Sequence, residues 1–267
     1  MYNASKVTDK VAQGKIALGS HVGFDSPFVT EMMAGCGFDF IWIDAEHSAI
    51  DRKDIQNHLL ACRACGAAGI VRVPWNDPVM IKGILDMGAD GIIVPMVCSL
   101  EEAKLAAAAT HYPPYGIRGM GTRRAVNYGI WDKAEYVRNM DDHVLTIVQI
   151  EHIDVVKDLP EIIKIPGISG FVVGPNDFSM SMNTPERSYT PNDPEVKEQF
   201  DKIGEILAGS GKLFGVSGAC SETFIKDWVR RGVNFISMGF DFNYVVSGSK
   251  NVIRTFGDTL KELGREQ

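Results

Sequence analysis

The sequence predicts an α/β fold, a single (β/α)₈ barrel domain spanning residues 1–267. Three observations point there. Eight short apolar runs recur along the chain, and helical patterns separate them. Their number and the chain length match one closed barrel better than a doubly wound sheet, the other architecture built from alternating strands and helices. The runs end in polar or charged residues, and in parallel barrels reactive groups gather at the C-terminal ends of the strands.

Taken in order, the first strand is expected at Lys15–His21, and the helix Ser26–Gly35 follows with a Ser-Pro start. The second strand, Asp39–Asp44, runs Phe-Ile-Trp-Ile before its terminal carboxylate, as in a strand buried on both faces. Helix Asp51–Cys65 opens on a capping Asp and helix Asp77–Met87 on Asp-Pro, with strand Gly69–Val73 between them. Strand Gly91–Met96 leads through Ser99 into helix Leu100–Thr110. Strand Leu145–Ile150 precedes helix Val155–Ile163, and strand Ser169–Val173 precedes helix Asp193–Ala208. Strands Leu213–Ser217 and Asn234–Met238 flank helix Ser221–Arg231, and a charge-rich helix, Asn251–Gly264, lies in the C-terminal tail. These helices carry apolar residues at three- and four-residue spacings. Tyr112–Tyr128 and Ser179–Pro194 are the longest irregular stretches, and long loops in a compact domain tend to be functional or flexible.

Composition narrows the partner. The formal net charge is -7 and the basic residues are scattered, which speaks against nucleic acid or an anionic membrane surface and for a small molecule. With no apolar stretch of membrane-spanning length and a polar Met1–Lys15 segment, a cytoplasmic protein is expected. The five cysteines are an odd count, which fits a reducing compartment. Cys62-Arg-Ala-Cys65 has the spacing of a redox or zinc half-site, but it lacks a second pair and lies in a helical pattern, so both are expected to be small apolar helix residues.

The strand ends carry the candidate chemistry. The second strand exits through Asp44-Ala45-Glu46-His47, the third carries Arg72 among apolar residues, the fifth carries Gln149 and Glu151, and the sixth runs into Asn176-Asp177. Residues two apart share a face, so Gln149 and Glu151 can both point to the barrel mouth. Glu151 and Asp177, with no ligand histidine or cysteine nearby, suit Mg²⁺ or Mn²⁺ over zinc, because hard cations take oxygen ligands. Singly, either would equally serve as a helix cap. Arg72 needs an anion in its apolar strand, either Asp44 or Glu46 or a substrate carboxylate or enolate. His47 follows carboxylates that would orient it and raise its basicity. His21, at the end of the first strand, is a second histidine for the mouth. No lysine ends a strand, so a Schiff-base mechanism lacks a nucleophile. The loop Gly116–Arg124 is Gly-rich and cationic and could receive an anion.

Five segments together resemble a known family. They are Trp42-Ile-Asp44-Ala-Glu46-His47, Val71-Arg72-Val73-Pro74-Trp75, Tyr112-Pro-Pro-Tyr-Gly116-Ile-Arg118-Gly119, Val148-Gln149-Ile150-Glu151 and Gly174-Pro-Asn176-Asp177-Phe-Ser179. In order and spacing they are similar to the motifs of the HpcH/HpaI aldolase family, metal-dependent class II pyruvate aldolases of the phosphoenolpyruvate/pyruvate superfamily. The likeness spans Gly19 to Asp241. It implies a TIM barrel that exchanges its C-terminal helix with a neighbour in a homo-hexamer. It also implies reversible cleavage of a 4-hydroxy-2-oxo acid to pyruvate and an aldehyde, with Mg²⁺, Mn²⁺ or Co²⁺. A 4-hydroxy-2-oxoheptanedioate-like substrate giving succinic semialdehyde is the leading expectation. Other pyruvate-enolate chemistry, such as oxaloacetate decarboxylation, and a non-catalytic metabolite-binding barrel are the alternatives.

Carried over position by position, the resemblance makes Glu151 and Asp177 the metal ligands. Gln149 and the backbone around Asn176 and Asp177 contact pyruvate. Arg72 steadies the enolate oxygen, and Asp44 joins the catalytic set as the carboxylate available to it. His47 is the base, acting through water, and Asp86 matches the carboxylate that raises its basicity. Asp86 lies near the end of its helix and so near the bottom of its own barrel, which makes a contact with His47 from another subunit the expected route. Apart from the resemblance, Arg123 and Arg124 of the Gly-rich loop are either a pair of solvated loop arginines, or one of them faces the site, or a neighbour's site, and favours an aldehyde with a terminal carboxylate. Asn176, Ser181-Met182-Asn183 and Gly215–Cys220 depart from the family pattern near the mouth, where they bear on the acceptor aldehyde rather than on pyruvate.

Overall fold

A computed structural model describes residues 2–265. Eight parallel strands pair in sequence order and close: β1 Ala17–Val22, β2 Phe40–Asp44, β3 Ala68–Arg72, β4 Gly91–Val94, β5 Leu145–Ile150, β6 Gly170–Val173, β7 Leu213–Gly218 and β8 Phe235–Phe240. The helices are α1 Ala4–Ala12, α2 Pro27–Gly35, α3 Arg52–Cys65, α4 Pro78–Asp86, α5 Leu100–Thr110, α6 Lys133–Arg138, α7 Leu159–Ile162, α8 Pro175–Ser181, α9 Pro194–Leu207, α10 Glu222–Arg230 and α11 Asp241–Glu262. Asp51 caps α3 in a reciprocal capping box with Asp54, and Asp77 and Ser99 cap α4 and α5.

Two layers of core follow from the pattern. One lies between the strands and the surrounding helices, and the other fills the barrel, where Phe40 and Phe235 stack 4.1 Å apart at the N-terminal end. Gly19 gives Phe40 its room, since a Cβ there would overlap the ring. Ala4 and Val7 of α1 close the barrel bottom against this cluster. The polar reading of Met1–Lys15 overlooked that helix, whose Ala4, Val7 and Val11 recur at helical spacing.

Three other expectations change. Val155–Ile163 is a 3₁₀ turn, Ile153–Lys157, followed by the short α7, because Pro160 has no N–H to continue a helix through it. The last helix starts at Asp241 rather than Asn251. Ser179–Pro194 is partly helical at its start, where α8 turns Asp177 over the strand ends. Cys62 is fully buried and its thiol is pushed up by burial, and Cys65 bonds the Glu31 carbonyl at 3.8 Å, so the pair is part of helix packing. Among the described residues no helix is long and apolar enough to cross a membrane. Because all strands run one way, their polar exits share one rim.

Candidate active site

At that rim, β2 and β3 sit in register with Asp44 beside Arg72. Arg72 Nε donates to Asp44 Oδ1 at 3.0 Å, one terminal nitrogen donates to Oδ2 at 2.7 Å, and the other lies 3.0 Å from Glu46 Oε2. Burial would raise the Asp44 carboxyl, but the Arg72 hydrogen bonds and charge outweigh it and hold the pKa below the usual value. Burial raises Glu46 in spite of Arg72, helped by the charges of Asp44 and Asp177. His47 follows with a side chain 65% exposed, its Nε2 3.7 Å from Glu46 Oε2.

On β5, Gln149 Nε2 donates to Glu151 Oε2, and the Met96 N–H donates to Oε1 at 2.5 Å. Met96 follows β4 with φ 51°, a left-handed conformation that is uncommon outside glycine. The strain turns its N–H toward Glu151, a role the sequence did not advertise. Burial first, and then the charges of Glu46 and Asp177, push the Glu151 carboxyl up to about 7, against the bonds from Met96 and Gln149. Three carboxylates thus repel one another across the mouth. Gln149 Oε1 is a buried acceptor without a hydrogen-bond donor, and Glu46 Oε2 meets Arg72 as an ion pair without hydrogen-bond geometry. Among the described residues no three His, Cys, Asp or Glu side chains form a closed ligand cage. Mutual repulsion, a bare oxygen acceptor and few protein ligands fit a hard dication that keeps positions for water and substrate.

A cavity of about 380 Å³ opens here, with Arg72, Gln149, Asn176, Asp177 and His47 in its wall. Its far side comes from strands the sequence did not connect. His21 of β1 bonds Ser237 at 2.9 Å and Ser217 at 3.3 Å, and its ring stacks on Trp42 and Phe240. Burial, then the Arg72 charge, lowers the imidazole to about 3, so it is neutral. Serines at strand ends were the available signal for this network. His58 is buried and joins α3 to α2 through Thr30 at 2.7 Å.

Asp86 and the arginine loop are not part of this cavity. Asp86 bonds Arg118 at 2.9 Å. Arg124 is buried and donates to the carbonyls of Met87, Gly88 and Leu59, while Arg123 lines a separate cleft with Thr122 and Tyr128. The loop links the end of α5 to the start of β5, so it lies at the barrel bottom, and the expectation that it faces its own chain's site is corrected.

The HpcH/HpaI aldolase/citrate lyase family pattern matches residues 18–247. A 4-hydroxy-2-oxo-heptane-1,7-dioate aldolase of Klebsiella pneumoniae subsp. pneumoniae is 34% identical over 257 residues, covering 96% of this chain and 94% of that protein. The crystal structure of an HpcH/HpaI aldolase from Desulfitobacterium hafniense DCB-2 superposes with a TM-score of 0.85 at 25% identity, covering 94% of this chain and 96% of that one. The citrate synthase SbnG superposes with a TM-score of 0.81 at 26% identity, over 94% of this chain and 98% of that one. The chain therefore belongs to the HpcH/HpaI aldolase/citrate lyase family and is a class II pyruvate aldolase, a carbon–carbon lyase.

Proposed function

We propose that this aldolase works with a divalent cation and cleaves a 4-hydroxy-2-oxo acid reversibly to pyruvate and an aldehyde, the dioate named for its relatives being the reference substrate. The observation that carries this reading is a single cavity in which Arg72, fixed by two carboxylates, shares the wall with Asp177 and with Gln149, whose Oε1 has no donor. Glu151 and Asp177 would hold Mg²⁺, Mn²⁺ or Co²⁺. When bound, that ion polarises the 2-oxo group and offsets charge developing on its oxygen.

The residues divide the remaining work. Gln149 and the backbone at Asn176 and Asp177 seat the pyruvate half. Arg72 stabilises the oxygen that becomes negative as the C3–C4 bond breaks, and needs no reorientation because Asp44 and Glu46 already hold it. His47 accepts the 4-hydroxyl proton through water, the electron pair of the broken bond passes to C3, and a proton returns there to give pyruvate. Asp86 bonds Arg118 of its own chain and lies outside the cavity wall, which supports an action on His47 from another subunit rather than from its own. The exposed apolar residues of α11, among them Val245, Val252, Ile253 and Phe256, support an exchanged helix in a hexamer.

The test is pyruvate with a panel of aldehydes and each of the three metals, read by product mass. Metal-dependent adducts are expected; no adduct and no metal-dependent deuterium exchange at the pyruvate methyl would sink the reading. The likeness to SbnG favours a second one, enolate addition to a keto-acid electrophile. Products from oxaloacetate, run beside the aldehydes, separate the two.

A further inference from the structure

We propose that the end of the cavity formed by β7, β8 and β1 is an acceptor subsite for a short, uncharged hydroxyaldehyde, read by the Ser217 hydroxyl and positioned by His21. The inference rests on the aldolase reading above and names the aldehyde it selects.

Charge is the first argument. A terminal carboxylate on the aldehyde needs a cation at this end. Among the described residues Arg72 is the only arginine in the cavity wall; Asp44 and Glu46 take its Nε and one N–H of each terminal nitrogen, and the N–H groups left over serve the oxygen of the pyruvate half. His47 already faces Glu46. His21, the remaining basic residue of the wall, is neutral and sealed, with a hydroxyl at each ring nitrogen. Asp44, Glu46, Glu151 and Asp177 leave the mouth negative against one guanidinium, and a dication with pyruvate bound restores little positive charge. Neither Arg123 nor Arg124 of the same chain reaches it. A second carboxylate would enter without a partner, and desolvating it there is costly.

Hydrogen bonding is the second argument. Neutral imidazole offers one donor and one acceptor, so Ser217 either accepts from Nε2–H or donates to Nε2. Either way its hydroxyl keeps bonding capacity toward the cavity: a free O–H in the first case, free lone pairs in the second. A ligand hydroxyl, itself donor and acceptor, matches both arrangements. Asn243 lies in the same wall and adds a second amphoteric partner. The indole N–H of Trp42, which stacks on His21, has no acceptor among the described residues. The flat faces of Trp42 and Phe240, 4.3 and 4.2 Å from the His21 ring, hold that ring and hence Ser217 in place.

The experiment uses the assembled protein with pyruvate and Mn²⁺ and compares kcat/KM for glycolaldehyde, propanal and succinic semialdehyde. Glycolaldehyde is expected to exceed each of the others by about tenfold, the scale of one well-placed hydroxyl contact. Ser217→Ala should erase most of the glycolaldehyde-to-propanal ratio, Ser217→Thr should retain it, and His21→Gln should reduce it with the loss in KM more than in kcat. A ratio unchanged in Ser217→Ala overturns the proposal. So does a wild-type preference for succinic semialdehyde, and loss of that preference in Arg123→Ala would assign it to a neighbour's arginine. Deuterium exchange at the pyruvate methyl tells the two failures apart: exchange without hydroxyaldehyde preference defeats only the subsite, whereas no exchange with any metal defeats the aldolase reading and the subsite with it.

Discussion

Arg72 grips Asp44 through two hydrogen bonds, 3.0 Å from Nε and 2.7 Å from a terminal nitrogen, and this pairing fixes a buried cation in the cavity wall. A lysine cannot reproduce the fork. Arg72→Lys should leave Asp44 and Glu46 incompletely paired, destabilise the protein by roughly 2–4 kcal/mol and lower kcat/KM by about 100-fold or more. Urea melts beside steady-state rates check both, and an Arg72→Lys enzyme with near-native turnover would contradict the role given to the fork.

Glu151→Ala and Asp177→Ala should each weaken Mn²⁺ binding and activity by more than about 100-fold, beyond the usual loss for an outer-shell partner, while the fold is retained. In Glu151→Ala, relief of the repulsion that pushes the carboxyl up to about 7 offsets part of the loss of the acceptor for Met96 N–H and Gln149 Nε2, so the metal-free protein should stay folded. Calorimetric Mn²⁺ titration with circular dichroism gives the answer. Near-native turnover of either variant at limiting metal would mean that the ligand pair is wrongly assigned.

His21 has a folded pKa of about 3, depressed by burial and then by Arg72, against an ordinary 6.5. The unfolded chain therefore binds a proton below about pH 6.5 that the folded chain refuses. The stability linked to this group is fully present above that pH and is lost as pH falls toward 3, by up to about 1.4 kcal/mol per pH unit. His21→Gln should flatten that part of the curve in denaturant melts between about pH 5 and pH 7. An identical slope in wild type and variant would show that His21 is not held neutral.

Asp86→Asn has two separable consequences. Arg118 is wholly buried and would lose its carboxylate, at a cost of roughly 2–3 kcal/mol, discounted because Asp86 is partly exposed. Across a subunit contact, the same change should lower turnover while leaving Mn²⁺ affinity as in wild type. Thermal melts test the first. A rate profile superimposable on wild type removes the second.

Arg124→Ala should destabilise the barrel bottom by about 2 kcal/mol, since carbonyls of Met87, Gly88 and Leu59 lose their donor. Acceptor preference should stay as in wild type. A changed preference would bring the loop back to the site.

Local pattern decided the elements. Leu145–Ile150 and Leu100–Thr110 form over the residues predicted for them, because strand alternation and helical spacing are properties of a few neighbouring positions. The placement of Gln149 and Glu151 at a strand exit was legible for the same reason: a two-residue period fixes a shared face. Pro160 shows the limit of periodicity, since one missing N–H breaks a helix whose apolar spacing is correct.

Partners were decided elsewhere. Nothing in the spacing chooses between Asp44 and a substrate anion for Arg72, and the β2–β3 register settles that both carboxylates of the second strand exit engage it. Asp86 and Arg118 meet from α4 and a bottom loop, and Arg124 turns inward where a Gly-rich cationic loop suggested an anion receptor. The His21 network joins residues 196 and 216 positions apart. Only closure of β8 onto β1 brings Ser237 and Ser217 to that imidazole, and a hydrogen bond's direction depends on such through-space geometry, which a local sequence period does not encode.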